Sequence, residues 1–295
     1  MKILSIGNFG HGWDGSICDE EHIAKALEEL GHEVIRQQRE TGWDEPLPNV
    51  DFALVAQWDG YPEDTFDWPV PVVYWAFDYQ AAGQEWHERL IEKADLYLSK
   101  RIADSKYPNW QWLSQDFAPD LLDKVESGTK DIDVLFTGSY LTWATERNET
   151  IKAVGERFNL VIHSVNEWPQ GNEGPVMDEA LPELYARARI VLSIDHTLEA
   201  GYWSDRNAQA LACGAFVLFR YVPLSETVFR NHVAYFYSVE DCLRKIEALL
   251  NPQLIQVRAQ VAKEGYEYVK TNLMVRNRVM DLLTIVENHL ENRNI

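Results

Sequence analysis

Short apolar runs alternate along the chain with polar segments whose apolar residues recur at helical spacing. The first run, Lys2–Gly7, is β-branched and breaks into NFGHGWDGS at residues 8–16. From Asp19 to Leu30 the apolar positions Ile23, Ala26, Leu27 and Leu30 share one helical face, and Gly31 ends the pattern. Further strands are expected at His32–Arg36, Phe52–Gln57, Val72–Phe77 and Leu96–Ser99, with a helix at Glu85–Ala94. Strands alternating with helices predict a parallel sheet. Residues 118–132, with Pro119 and Ser127-Gly128, read as a hinge, and the pattern then restarts. Asp133–Thr137 reads as a strand, Arg147–Phe158 as a helix and Leu160–His163 as a strand, with a polar Gly/Pro loop from Trp168 to Pro175. Thr137-Gly138-Ser139 repeats the position of Ile6-Gly7-Asn8, so two Rossmann-like halves are expected.

The stretch Tyr185–Phe219 organises the second half. A strand at Ile190–Ile194 leads into a polar, aromatic loop. A short helix carries Arg206 and Gln209 to the Cys213-Gly214 break, and a strand follows at Ala215–Phe219. Such a β-loop-α-β unit opens its loop at the carboxyl end of a parallel strand, where open α/β sheets bind ligands and a helix N-terminus suits a phosphate. Beyond it, residues 221–229 read as a loop and Val233–Tyr237 as a short strand. Helices are expected at Val239–Leu250, started by Ser238, and at about 252–272 and Val275–Glu291.

The charge narrows the partners. The 295 residues carry 27 Lys and Arg against 47 Asp and Glu, a net charge of −20. Residues 1–130 hold 11 basic and 25 acidic side chains. An extended DNA or anionic-membrane footprint is therefore not expected. The only compact basic group of that half, Lys100, Arg101 and Lys106, reads as solvated surface. No apolar run reaches transmembrane length, and MKILSIGNFG reads as a strand rather than a signal peptide. Cys18, Cys213 and Cys242 lack metal spacing and read as buried thiols of a reducing cytoplasm. Eight of the eleven tryptophans precede residue 113; most are read as packing and the rest as walls of an acceptor pocket.

No acid marks the end of the second strand, where Val34-Ile35-Arg36-Gln37 stands, so NAD or FAD is not expected. Gly10 and Gly12 still allow a ligand close to the backbone. No metal is expected.

The order of DVLFTGSY, ELYARARIVLSI, R-x-x-x-A-L-A-C-G-A-F, AYFYSVEDCLRKIEALL and a closing E-Y-V-x-x-N resembles GT-B glycosyltransferases of the retaining, GT4-like kind. The likeness is greatest to the bacterial and phage branch related to the spore-maturation protein CgeB, and VVYWAFDY in the first half is similar to that family's strand ending in Trp, two residues and Asp. The resemblance implies an α/β fold with two Rossmann-like domains facing a central cleft. The first, at 1–125, would bind the acceptor and the second, at 130–272, the nucleotide-sugar. A terminal helix at 273–295 would return toward the first. It implies transfer of a sugar, hexosyl or pentosyl, from a UDP- or GDP-linked donor to a hydroxyl with retention. The donor is a co-substrate, UDP-sugar first, and no cofactor is implied. The acceptor is a small molecule, glycan, lipid-linked sugar, protein or hydroxymethylated base in phage DNA. On the donor side it assigns Arg147 and Arg206 to the pyrophosphate, beside the Gly138-Ser139 turn, and Glu199, Tyr202 and Ser204 to the sugar. Gln209 stands where the family has the second Glu of an E-x7-E motif that holds the ribose; Gly201 stands at the first. On the acceptor side Asp78, with His11 and Asp14 as rivals, is the expected catalytic group. Two alternatives share the architecture: a nucleotide-sugar 2-epimerase, and a binding protein without catalysis.

Overall fold

Runs rich in Val, Ile and Leu become short parallel strands that are covered on both faces, which is why they read as continuous rather than alternating apolar stretches. The computed structural model describes residues 1–12, 15–38, 48–56, 68–77, 84–125 and 129–293. The chain divides into one unit of Met1–Gln115 with Val275–Ile295 and another of Asp116–Met274.

In the first unit the elements run β1 (Lys2–Gly7), α1 (Asp19–Glu29), β2 (Glu33–Gln38), β3 (Phe52–Ala56), β4 (Val72–Trp75), α2 (Gln84–Lys93), β5 (Leu96–Ser99) and β6 (Trp110–Trp112). The sheet order is β2-β1-β3-β4-β5-β6, with every pairing parallel. β3 and β4 are buried at every residue. The last helix of the chain, α9 (Val275–Arg293), packs on α1 and buries Val279, Leu282 and Val286. β6 escapes the hydrophobic pattern because it has three residues, two of them half-exposed tryptophans. Side-chain bonds hold its edge: Asn109 donates to the carbonyls of Ile91 and Ala94, and Trp110 Nε1 donates to Ser99 Oγ at 2.9 Å.

Within the basic group at residues 100–106, Lys106 is exposed as its composition suggests, but Lys100 and Arg101 are not solvated surface. Lys100 is 2 % exposed, and Arg101 lies 3.5 Å from the buried Asp104. Asp104 also accepts hydrogen bonds from Tyr97 and Ser99 at 2.6 and 2.7 Å, which anchors this corner of the sheet.

The second unit runs β7 (Ile132–Thr137), α3 (Thr145–Gly155), β8 (Leu160–His163), α4 (Leu181–Arg187), β9 (Ala188–Ser193), α5 (Arg206–Ala212), β10 (Val217–Arg220), α6 (Ser225–Phe229), β11 (Ala234–Phe236), α7 (Val239–Leu249) and α8 (Ile255–Asn272). Its sheet order is β11-β10-β9-β7-β8, again all parallel. Phe136, Ile151, Ile190, Leu192, Leu218 and Ile246 fill one core cluster, each contributing about 1.5–3 kcal/mol by burial. Residues 221–229, expected as a loop, contain the five-residue α6, whose turn is too short to show a period. Ser238 caps α7 as expected, its hydroxyl accepting the Asp241 N–H.

Both sheets place their first strand beside their third, so the chain changes winding direction between β1 and β3 and between β7 and β9. Ligands of open α/β sheets bind outside the carboxyl ends of the strands at such switch points.

Candidate functional site

The two switch points differ in chemistry. After β1, the close approach of Glu20 requires glycine at position 7, where a Cβ would stand 2.5 Å from Glu20 Cγ. Glu20 is 3 % exposed and accepts the Asn8 N–H, while Gln38 accepts the Phe9 N–H at 2.9 Å and donates to Asn8 Oδ1. The backbone donors next to the strand end are thus spent on side chains, one of them a carboxylate, which disfavours a phosphate there. Gly10 accepts the Cys18 N–H, Gly12 donates to the Ser16 carbonyl, and His11 pairs with Ile17 across this closed loop with its side chain exposed. Asp14 and Asp78 lie outside the described residues.

The second switch point is cationic. β7 ends in Thr137 and the chain turns at Gly138, whose φ of +152° excludes most side chains. A Cβ there would meet Arg206 Nη2 at 2.9 Å and the Phe136 ring at 3.2 Å. Glycine therefore lets the Arg206 guanidinium lie over the strand end, 5.6 Å from the Phe136 ring centroid. Trp168 Nε1 donates to the Gly138 carbonyl at 2.8 Å, and Asn166 both accepts from and donates to the Tyr140 backbone, which fixes the turn.

Arg147 rises from the first turn of α3 and is 4 % exposed. It donates to the Ser139 carbonyl at 2.6 Å and sits over the Trp168 ring. Burial first, and the charge of Arg206 second, push its pKa down to about 10, against a partial compensation by Asp195. Arg147 Nε and Arg206 Nη1 are both buried without a hydrogen-bond partner. Buried unpaired donors of charged groups are costly, and an anion between them would offset that cost.

Asp195, two residues beyond β9, is 4 % exposed and accepts the Ser204 N–H at 2.9 Å, closing the loop that carries 196–204. Ser204 Oγ in turn accepts the Arg206 N–H. His196 stacks edge-on to Trp143 and Tyr202 at 5.2 and 5.0 Å. Tyr202 is 2 % exposed, so its ring is a wall of the loop. Glu199 is half-buried and its carbonyl accepts the Tyr202 N–H, while Gly201 donates to Pro223. Gln209 lies one turn along α5 from Asp205, and its amide donates to the Asp205 carboxylate. α5 has only seven residues, so the arginines rather than a helix dipole supply most of the positive potential.

The second unit thus brings Gly138, Ser139, Arg147, Ser204 and Arg206 to one strand edge, with Gln209 behind. Sequence reasoning overlooked Asp195, His196, Trp168 and Asn166. The dipeptide Asp195-His196 directly after an apolar strand was the visible signal. Trp168 and Asn166 sit in a loop whose return to Gly138 depends on tertiary structure. Among the described residues no group of three or more His, Cys, Asp or Glu is placed to hold a metal ion, and no helix is long and apolar enough to cross a membrane.

Two parallel sheets of this topology, one with a cationic switch point, define the GT-B class of glycosyltransferase folds. Residues 128–284, more than half of the chain, match the model of the glycosyl transferase-like family, and the chain belongs to that family. Solved structures agree over nearly the whole length. Sucrose-phosphate synthase of Thermosynechococcus elongatus aligns with a TM-score of 0.70 at 11% identity, covering 99% of each chain. An alpha-glucosyltransferase in complex with UDP and a mismatched 13-mer DNA gives 0.69 at 12% identity, covering 97% of this chain and 100% of that one. HepE of Anabaena in complex with UDP and glucose gives 0.67 at 13% identity, covering 98% and 100%. No curated protein matches the sequence.

Proposed function

We propose that the protein transfers a sugar from a nucleoside-diphosphate sugar, UDP-linked, to an acceptor hydroxyl, with retention at the anomeric carbon. The carrying observation is the buried Arg147 and the half-buried Arg206 at the β7/β9 switch point, whose buried, unpartnered nitrogens Arg147 Nε and Arg206 Nη1 suit a pyrophosphate. The forks hold the diphosphate in the ground state and offset the charge that grows on it as the glycosidic bond breaks. Structural neighbours solved with UDP support the choice of nucleotide.

In this reading Asp205 supplies the carboxylate that Gln209 lacks. The Gln209 amide holds the Asp205 carboxylate, so a pair spanning one helical turn faces the ribose hydroxyls. Ser204 and Glu199 contact the transferred sugar, with Tyr202 shaping the wall. The first unit contributes the acceptor side, with Asp78, His11 or Asp14 positioning the hydroxyl. A hydroxymethylated DNA base is one acceptor to try, because one neighbour was solved with DNA. The charge of −20 favours a local rather than extended contact with such a substrate. Mass spectrometry of a donor-by-acceptor screen tests the proposal: UDP release coupled to a hexose or pentose mass increment on one acceptor is expected. Failure to bind any sugar nucleotide would sink it, and conversion of a UDP-sugar without acceptor would point to an epimerase.

A further inference from the structure

A second cationic pocket lies at the opposite end of the same sheet. Its cavity of about 310 Å³ opens beside the amino ends of β7, β9 and β10, where Lys130, Arg189 and Phe216 line it. A six-residue strand separates those ends from Gly138 and Asp195, a distance of roughly 20 Å. The pocket is therefore distinct from the site described above.

Five lining side chains are cationic, namely Lys124, Lys130, Arg189, Arg258 and Lys263, and none is acidic. This reverses the balance of a chain with net charge −20. Arg258 is 7 % exposed, and its Nη1 is buried without a hydrogen-bond partner. It stands in the first turn of the 18-residue α8, whose amino end adds positive potential. Lys130 Nζ reaches over the pocket to the carbonyls of Ala186 and Ala188 at 3.2 and 2.7 Å, neither of which neutralises it.

The neighbouring carboxylates reach the outer cations and leave Arg258 and Lys130 without an ion pair among the described residues. Asp133 pairs with Arg189, and Asp123 accepts from Tyr266 and lies 3.8 Å from Lys270. Glu267 is 3.9 Å from Lys263 on the exposed face of α8. Burial first and then the charge of Arg189 push the Arg258 pKa down; burial, Arg258 and Arg189 do the same to Lys130. Arg258 and Lys130, packed at mutual cost and with no ion pair among the described residues, are what an anion site requires. Phe216, Ile255 and Ala262 supply an apolar wall for the rest of a small ligand.

We infer that this pocket binds a small phosphorylated anion, its phosphate held by Arg258 and Lys130, independently of the nucleotide-sugar. The full chain is titrated by calorimetry with inorganic pyrophosphate and, separately, with a hexose phosphate. An Arg206→Met background weakens the pyrophosphate response of the donor site by about 30-fold or more. In that background, added Arg258→Met is expected to weaken binding of at least one probe by about tenfold or more. Lys130→Gln should act in the same direction. Arg258→Met alone should leave UDP affinity within about twofold, because the pocket lies a strand length away. A hexose phosphate bound more tightly than pyrophosphate assigns the apolar wall to the ligand's body; equal or weaker binding assigns the pocket to the inorganic anion. The inference is overturned if the Arg206→Met protein binds neither probe. It is also overturned if Arg258→Met and Lys130→Gln leave that binding unchanged. A short DNA duplex whose binding is lost with Arg258→Met, while neither small anion binds, would also refute it. Circular dichroism and the Tm of both variants show whether they fold; Lys130→Gln keeps a hydrogen-bonding side chain if Arg258→Met does not.

Discussion

Replacing Arg206 with methionine should stabilise the ligand-free protein and weaken its hold on UDP. The structure sets both magnitudes. The Arg147 guanidinium is held well below the ordinary arginine range, at about 10, which corresponds to about 3 kcal/mol against its charged form. Burial is the largest cause and Arg206 the second, so removing Arg206 returns about 1–2 kcal/mol. Against this stands the loss of the contact with the Phe136 ring, about 0.5–1 kcal/mol, which the methionine partly replaces. The unpartnered Nη1 also disappears. The net expectation is a gain of up to about 1 kcal/mol without ligand, measured as a higher urea midpoint with an unchanged slope. The charge-assisted bond to the diphosphate is lost at the same time, so UDP affinity should fall by about 2–4 kcal/mol, or roughly 30- to 1,000-fold, by calorimetry. A variant that is less stable by more than about 1 kcal/mol while binding UDP normally would refute the reasoning. Arg206 would then be a structural cation of the β7 strand end.

Three further outcomes follow from the same geometry. Gly138→Ala should cost about 1–3 kcal/mol in stability and displace Arg206, because φ is +152° and the new Cβ meets both that guanidinium and the Phe136 ring; a UDP affinity matching the parent protein would show that the turn does not position the arginine. Gln209→Glu should lower UDP affinity although it restores the family's residue, since a second carboxylate would face Asp205; an Asp205→Asn, Gln209→Glu double variant should recover it, and no recovery in equilibrium binding would count against Asp205 as the ribose carboxylate. The first unit should lose stability in acid. Burial pushes the pKa of His87 down to about 4, and it keeps hydrogen bonds with Tyr74 and Tyr97. The unfolded chain binds this proton near pH 6.5, so the stabilisation is whole above that pH and lost as pH falls toward 4, by up to about 3 kcal/mol. His87→Gln should flatten the decline of the unfolding free energy over that window; an unchanged profile would place the acid sensitivity elsewhere, with the similarly buried His22 the next to test.

The fold was legible where burial is two-sided and continuous. Leu96–Ser99 and Leu160–His163 coincide with their strands, and Lys2–Gly7 needed no adjustment, because an apolar run bounded by turn residues has few other ways to be buried. β6 and α6 were hidden because three- and five-residue elements have no measurable period; edge hydrogen bonds and tertiary packing make them. Lys100 shows the opposite failure. A cluster of basic residues is normally solvated, but here Lys100 is buried and Arg101 pairs with the buried Asp104.

The site was legible to different depths in the two halves. Arg147 and Arg206 carry a signal because each lies just inside a helix that follows an apolar strand, where a cation is unfavourable to the helix dipole and needs another reason to be present. Their convergence was not visible, since it depends on the strand order that sets β7 beside β9. The glycine-rich opening of the chain advertises a phosphate cradle more strongly than anything in the second half, yet Glu20 and Gln38 consume its donors. A glycine loop specifies only that something comes close to the backbone. In one half that partner is the chain's own carboxylate, at Gly7; in the other, at Gly138, it is a guanidinium with a nitrogen to spare. The charge that approaches the glycine, rather than the glycine, distinguishes a structural turn from a ligand site.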